Sequence, residues 1–125
     1  MNRMRKVYGC PVELSLELLG GKWKSVILAY LKDRPRSYGE LRQLIPDLSD
    51  KVLTERLRGL EAQGLAARQI GPEPGRVRYS LTERGKSLRP VLEALYAWGE
   101  HVAPDLDVRF RSSGITPASS TARAR

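Results

Sequence analysis

The spacing of apolar residues changes period twice along this chain, and that pattern limits the fold more than any other feature. Before Gly64 the clearest apolar spacing is helical, as in Leu53, Leu57 and Leu60. After Gly64 the period shifts towards 2, and from Arg76 to Leu81 polar and apolar residues alternate. Beyond Thr82 the helical interval returns through Leu88, Val91, Leu92, Leu95, Trp98 and Val102. A period near 3.6 buries one stripe of a helix, whereas a period of 2 buries one face of a strand. The chain therefore reads as a helical domain interrupted once by a hairpin.

Local punctuation divides the helical part. Pro11 suits the first turn of a helix, where its missing amide would have no partner, and Val12, Leu14, Leu16, Leu18 and Leu19 follow before Gly20-Gly21. A second helix runs from Lys22 through Val26, Ile27, Leu28 and Leu31 to Arg34-Pro35. Ser37 and Glu40 have capping-box spacing and open a short helix through Leu41, Leu44 and Ile45, which Pro46 stops. Ser49 caps a fourth helix that ends at Gly64, a residue suited to the left-handed position after a helix. Leu65–Ile70 and Arg76–Leu81 read as paired strands about the turn Gly71-Pro72-Glu73-Pro74-Gly75. Thr82-Glu83 opens a closing helix, in which Pro90 marks either a kink or a later start. Four helices, a ribbon with a basic tip and a closing helix are the order of a winged helix-turn-helix, mainly α with a small two-stranded β-wing.

At 125 residues with 41% hydrophobic content, the chain suits one domain. No apolar run is long enough to cross a bilayer, so no membrane association is expected. The basic start, Met1 to Lys6, is not followed by an apolar signal region, because Cys10-Pro11 and Glu13 interrupt it. The single cysteine, Cys10, cannot form an intramolecular disulfide, which fits a reducing cytoplasm. The expected organisation is a basic arm at 1–9, a folded domain at 10–108 and a tail at 109–125. From Ala103 the chain is rich in Ser, Pro, Ala and Arg, with too few large apolar groups to offset the entropy of ordering them. Disorder is expected from about Ser112, and no role follows for the tail.

The formal net charge of +8 favours polyanionic partners, although charge alone serves solubility equally well. Its placement says more. Arg3, Arg5 and Lys6 stand in the arm with no acid among them, and Arg68, Arg76, Arg78, Arg84 and Lys86 face only Glu73 and Glu83 across the hairpin region. On the fourth helix, Leu53, Leu57 and Leu60 lie within about 60° of one another and form the core stripe. Lys51, Thr54, Glu55 and Arg58 lie on the other side, towards the N-terminal half that enters the major groove in helix-turn-helix proteins. Lys and Arg can bond guanine, and Thr offers a hydroxyl or a methyl.

These segments resemble the HxlR-type regulators, relatives of the MarR-type winged helices. The resemblance rests on Cys10-Pro11-Val12-Glu13, Leu19-Gly20-Gly21-Lys22-Trp23, Tyr38-Gly39-Glu40-Leu41-Arg42 and Ser49 to Leu57. Further matches are Leu60 to Leu65, Arg78-Tyr79-Ser80-Leu81-Thr82-Glu83-Arg84-Gly85, Pro90-Val91-Leu92 and Trp98-Gly99, in order and spacing over about residues 8–102. The resemblance implies a homodimer on double-stranded DNA, with a recognition helix at about 49–63 and a wing at about 68–80. It assigns Ser49, Lys51, Thr54 and Arg58 to the recognition helix, Arg76 and Arg78 to the wing, and Ser37 to the neighbourhood of a phosphate. It also implies a dimer interface of terminal helices, with Val12, Leu16, Leu88, Val91, Leu92, Leu95 and Trp98. A two-fold dimer would read a palindromic operator.

Several chemistries are not expected. Nothing assembles a nucleophile, a base and an orienting group, so the chain does not read as an enzyme. His101 is the single histidine, no cluster has metal-ligand spacing, and no cofactor is implied. Cys10 is the one position with candidate chemistry. It precedes a helix start near Arg5 and Lys6, a setting that favours the thiolate, and in several relatives a cysteine at this place senses oxidants or electrophiles. The plain alternative is a small packed residue. For the whole chain, the alternatives are a module binding protein or RNA, or a protein coating DNA without an operator.

Overall fold

The computed structural model describes residues 7–73, 76–111 and 115. The expected arm residues Arg3, Arg5 and Lys6, the turn residues Pro74 and Gly75, and the tail at 112–114 and 116–125 lie outside them.

The elements run α1 (Pro11–Leu19), α2 (Gly21–Asp33), β1 (Arg36–Ser37), α3 (Tyr38–Leu44), α4 (Asp50–Ala62), β2 (Ala66–Ile70), β3 (Val77–Leu81), α5 (Glu83–Lys86) and α6 (Arg89–Val102). A 3-10 turn at Pro104–Leu106 follows. Both expected N-caps form. The Ser37 hydroxyl accepts from the Glu40 amide at 3.1 Å while the Glu40 carboxylate accepts from the Ser37 amide at 2.8 Å. The Ser49 hydroxyl accepts from the Val52 amide at 3.2 Å. Gly64 has φ +73°, the left-handed conformation that ends α4 without a Cβ penalty.

One feature differs from expectation. The ribbon is not two-stranded: β1 pairs antiparallel with β3, giving the order β1-β3-β2 with Ser37 opposite Arg78. In the closing segment Pro90 marks a later start, not a kink. Thr82 caps the short α5, and α6 starts afresh with Pro90 in its first turn, where a missing amide costs nothing.

The core is one cluster, drawn from Ile27, Leu28 and Leu31 of α2, Leu41 of α3, Leu53, Leu57 and Leu60 of α4, and Leu65, Leu81 and Leu92. The ribbon is locked to the end of α4 by the Thr82 block. The Thr82 hydroxyl donates to the Gly64 carbonyl at 2.6 Å and accepts from the Gly85 amide at 3.0 Å, and Arg84 donates to the Gln63 carbonyl at 3.0 Å. Gly85 is buried so close to β2 that a Cβ would stand 2.1 Å from the Leu65 carbonyl oxygen. By contrast, α1 has no buried residue. Past the expected boundary at 108 the chain stays against the domain, with Arg111 paired to Asp47 at 2.9 Å and Ile115 packed on the core.

Candidate nucleic-acid interface

The start of α4 is held by side chains from α3. The Tyr38 hydroxyl lies 2.9 Å from Asp50 Oδ1, 3.2 Å from the Asp50 carbonyl oxygen and 3.3 Å from Thr54 Oγ1. Arg42 binds the same Asp50 carboxylate through Nε at 2.8 Å and also donates to the Leu48 carbonyl, closing the turn between the two helices. Several partners on one helix end leave it little freedom to rotate. Tyr38, Arg42 and Asp50 were not expected as site residues; their ring spans residues far apart in sequence, and no local pattern announces it.

With Leu53, Leu57 and Leu60 in the core, the outer face of α4 presents Lys51, Glu55 and Arg58, all exposed. Thr54 sits on the flank, half-buried, its hydroxyl engaged with Tyr38. Ser49 and Ser37 are both exposed enough to meet a partner at the helix starts they cap.

Strand register decides which way the basic residues of the ribbon point. Residues directly opposite share a face, and neighbours along a strand alternate. Ala66 and Leu81 are opposite and buried, so Arg68 and Tyr79, also opposite, share their inner face. Arg78 therefore points outward, and its Nη1 lies 3.8 Å from Glu40. Arg76 stands exposed at the far end, paired with Glu73 at 3.3 Å. On the inner face Arg68 pairs with Glu61 of α4 at 3.1 Å. Burial, and then the Glu61 carboxylate, push the Tyr79 phenol above its usual pKa. For Glu40, the Ser37 amide, against some opposing burial, holds the carboxyl below the usual carboxylate range, with Arg34 and Arg78 adding to the effect.

The terminal-helix residues divide. Val12 and Leu16 of α1 are 62% and 63% exposed, and Trp98 of α6 is 65% exposed, beside exposed Val91 and Leu95. Leu92 does not join them: at 3% exposure it faces its own core, and Leu88 packs against that core too, because both lie on the inner stripe of the closing segment. Trp23 is packed on the core, with Lys22 Nζ 4.4 Å from its ring centroid, whereas Trp98 is not packed there. Cys10 is exposed at the N-cap of α1. Among the described residues no cluster of His, Cys, Asp or Glu could hold a metal, and no helix is long and apolar enough to cross a membrane.

Similarity to known proteins agrees with this architecture. A family model described as HxlR-like helix-turn-helix matches residues 18–107. An HTH-type transcriptional regulator of Methanothermobacter thermautotrophicus is 47% identical over 94 residues, 74% of this chain and 72% of that protein. The HTH-type transcriptional regulator YybR of Bacillus subtilis is 36% identical over 120 residues, 92% of this chain and 95% of YybR. Among solved structures, the redox regulator HypR in its reduced form matches with a TM-score of 0.74 at 35% identity, covering 78% of this chain and 98% of HypR. Its oxidised form matches with a TM-score of 0.70 at 39% identity, covering 74% and 96%. The family and these relatives are regulators rather than enzymes. The chain belongs to the HxlR-like helix-turn-helix family of transcriptional regulators.

Proposed function

We propose that this transcriptional regulator acts as a homodimer that reads a specific, roughly palindromic DNA site through α4. What supports the reading most is the set of restraints on α4. Its apolar stripe is sunk in the core, its N-terminus is clamped by Tyr38 and Arg42, and Lys51 and Arg58 are left facing out. A helix fixed in that way can present donors to base edges in the major groove without first being ordered. Lys51, Thr54 and Arg58 are the proposed readers. Ser37 and Ser49 meet phosphates at the helix starts, and Arg76 and Arg78 neutralise backbone charge around the ribbon. The dimer forms through α1 and α6, with Val12, Leu16, Val91, Leu95 and Trp98 as its apolar contacts. The operator is found by selecting bound fragments from a random duplex pool. Recovery of one shared motif is expected. A pool that stays random after repeated rounds would favour coating without an operator, and binding of RNA or protein alone would favour the other alternative.

Cys10 is proposed as a thiol that couples oxidation to release from DNA. Supporting this are its exposure beside α1 and the similarity to HypR, a redox regulator with oxidised and reduced forms. Two Cys10 thiols, one from each protomer, would join as a disulfide, giving two electrons and two protons to an oxidant such as diamide. That bond needs Cα atoms within about 7 Å; otherwise the product is a mixed disulfide with a small thiol. Either product displaces α1 and so changes the spacing of the two recognition helices. Diamide should weaken operator binding by wild type and spare Cys10→Ser. Equal loss in both, or none in wild type, would leave Cys10 as packing.

A further inference from the structure

A polar cleft separates α4 from the inner face of the ribbon. Following that face outward from the core, Ala66 and Leu81 are buried, Arg68 and Tyr79 come next, and Ile70 and Val77 follow, with Ile70 exposed. Arg68 and Tyr79 form one wall of the cleft. Thr54, Arg58 and Glu61 of α4 form the other, and Tyr38 joins them from the start of α3. The cavity is about 230 Å³, room for a phosphate group and several waters at about 30 Å³ each.

The lining has the chemistry of an anion site with one acid inside it. Two guanidiniums outweigh the single carboxylate of Glu61, leaving one net positive charge. The Glu61 ion pair engages Arg68 through Nε, and a guanidinium has five N–H donors in a planar fork, so others serve a second anion. The Tyr79 phenol, protonated at neutral pH as any phenol is, is a neutral donor at the same place. Arg58 is exposed and shared between the cleft and the outer face of α4. A nucleic-acid strand lying along that face passes the cleft on its ribbon side.

We propose that this cleft seats one phosphodiester of the DNA backbone, held by Arg68 and the Tyr79 hydroxyl with Arg58 at its edge, and that Glu61 is the carboxylate with which the phosphate shares Arg68. It makes Arg68, on the inner face, the ribbon cation nearest the recognition helix, where Arg78 is turned away towards Glu40. Glu61 holds the empty site in order by keeping Arg68 against α4, and it weakens every phosphate that enters. The proposal rests on the DNA-binding reading above.

The test measures binding to a mixed-sequence duplex across a salt titration, which needs no operator. Arg68→Gln should weaken binding and reduce the slope of log affinity against log salt by about one unit. Tyr79→Phe, which removes only the hydroxyl, should weaken binding severalfold. Glu61→Gln should bind severalfold tighter, a gain that misfolding cannot produce, while Glu83→Gln, an exposed acid that does not line the cleft, should change little. An unchanged slope for Arg68→Gln, or weaker binding by folded Glu61→Gln, would overturn the cleft. A failed operator search with these results intact would overturn only the sequence-specific reading.

Discussion

Glu40 illustrates how much the interface depends on residues that need touch no partner. Its carboxylate closes the cap of α3 and lies 3.6 Å from Arg34 and 3.8 Å from Arg78. Because its folded pKa is lowered, its contribution to stability is complete above the ordinary glutamate value of about 4.3 and disappears as pH falls through the lowered value. The stability gap between wild type and Glu40→Gln should therefore be widest near neutral pH and close in acid; a gap unchanged by pH would show that the charge contributes nothing. Arg58, in contrast, is expected to act on DNA directly. Arg58→Ala should cost about 1–3 kcal/mol on the operator and relax preference at one base pair, as read by competition against single-base variants. A loss equal on all DNA would make Arg58 a backbone contact. The two serine caps were legible in sequence because each motif closes within four residues. The Tyr38–Asp50–Arg42 ring was not, since its partners belong to different helices.

Between elements, the joint of α4, β2 and α5 sets the angle of the ribbon against α4. Gly85 is required there by space and not by φ: a methyl would meet the Leu65 carbonyl. Gly85→Ala should destabilise the domain by about 3 kcal/mol, lowering Tm by roughly 10 °C, and variants that still fold should bind DNA more weakly through a displaced ribbon. A melting curve matching wild type would mean that the helix shifts freely away from β2. The element order and the helix starts were readable because caps, prolines and period changes are local. β1 was not, because two residues cannot show alternation, and its partners Tyr79 and Arg78 lie some forty positions further on. The direction of the basic ribbon residues was likewise hidden until the register with the core was known.

For the whole molecule, α1 is the element hardest to account for in a single copy. Nine residues are too few for a helix to be stable by itself in water, and none of these nine is buried. Val12 and Leu16 of α1, together with Val91, Leu95 and Trp98 of α6, supply apolar surface that a second copy would cover. The family resemblance implied Leu88 and Leu92 on that surface too, and both instead meet the core, because a helix with one apolar stripe does not reveal which part of it faces its own domain. Light scattering should give twice the monomer mass for wild type and the monomer mass for Trp98→Glu; a wild-type monomer with full DNA affinity would refute the arrangement. The central claim, a two-fold reader of specific DNA, is tested most directly by a hydroxyl-radical footprint on the selected operator. Two equivalent protected half-sites centred about one helical turn, roughly 10 base pairs, apart are predicted. A single protected half-site, or protection spread evenly along the duplex, would contradict it.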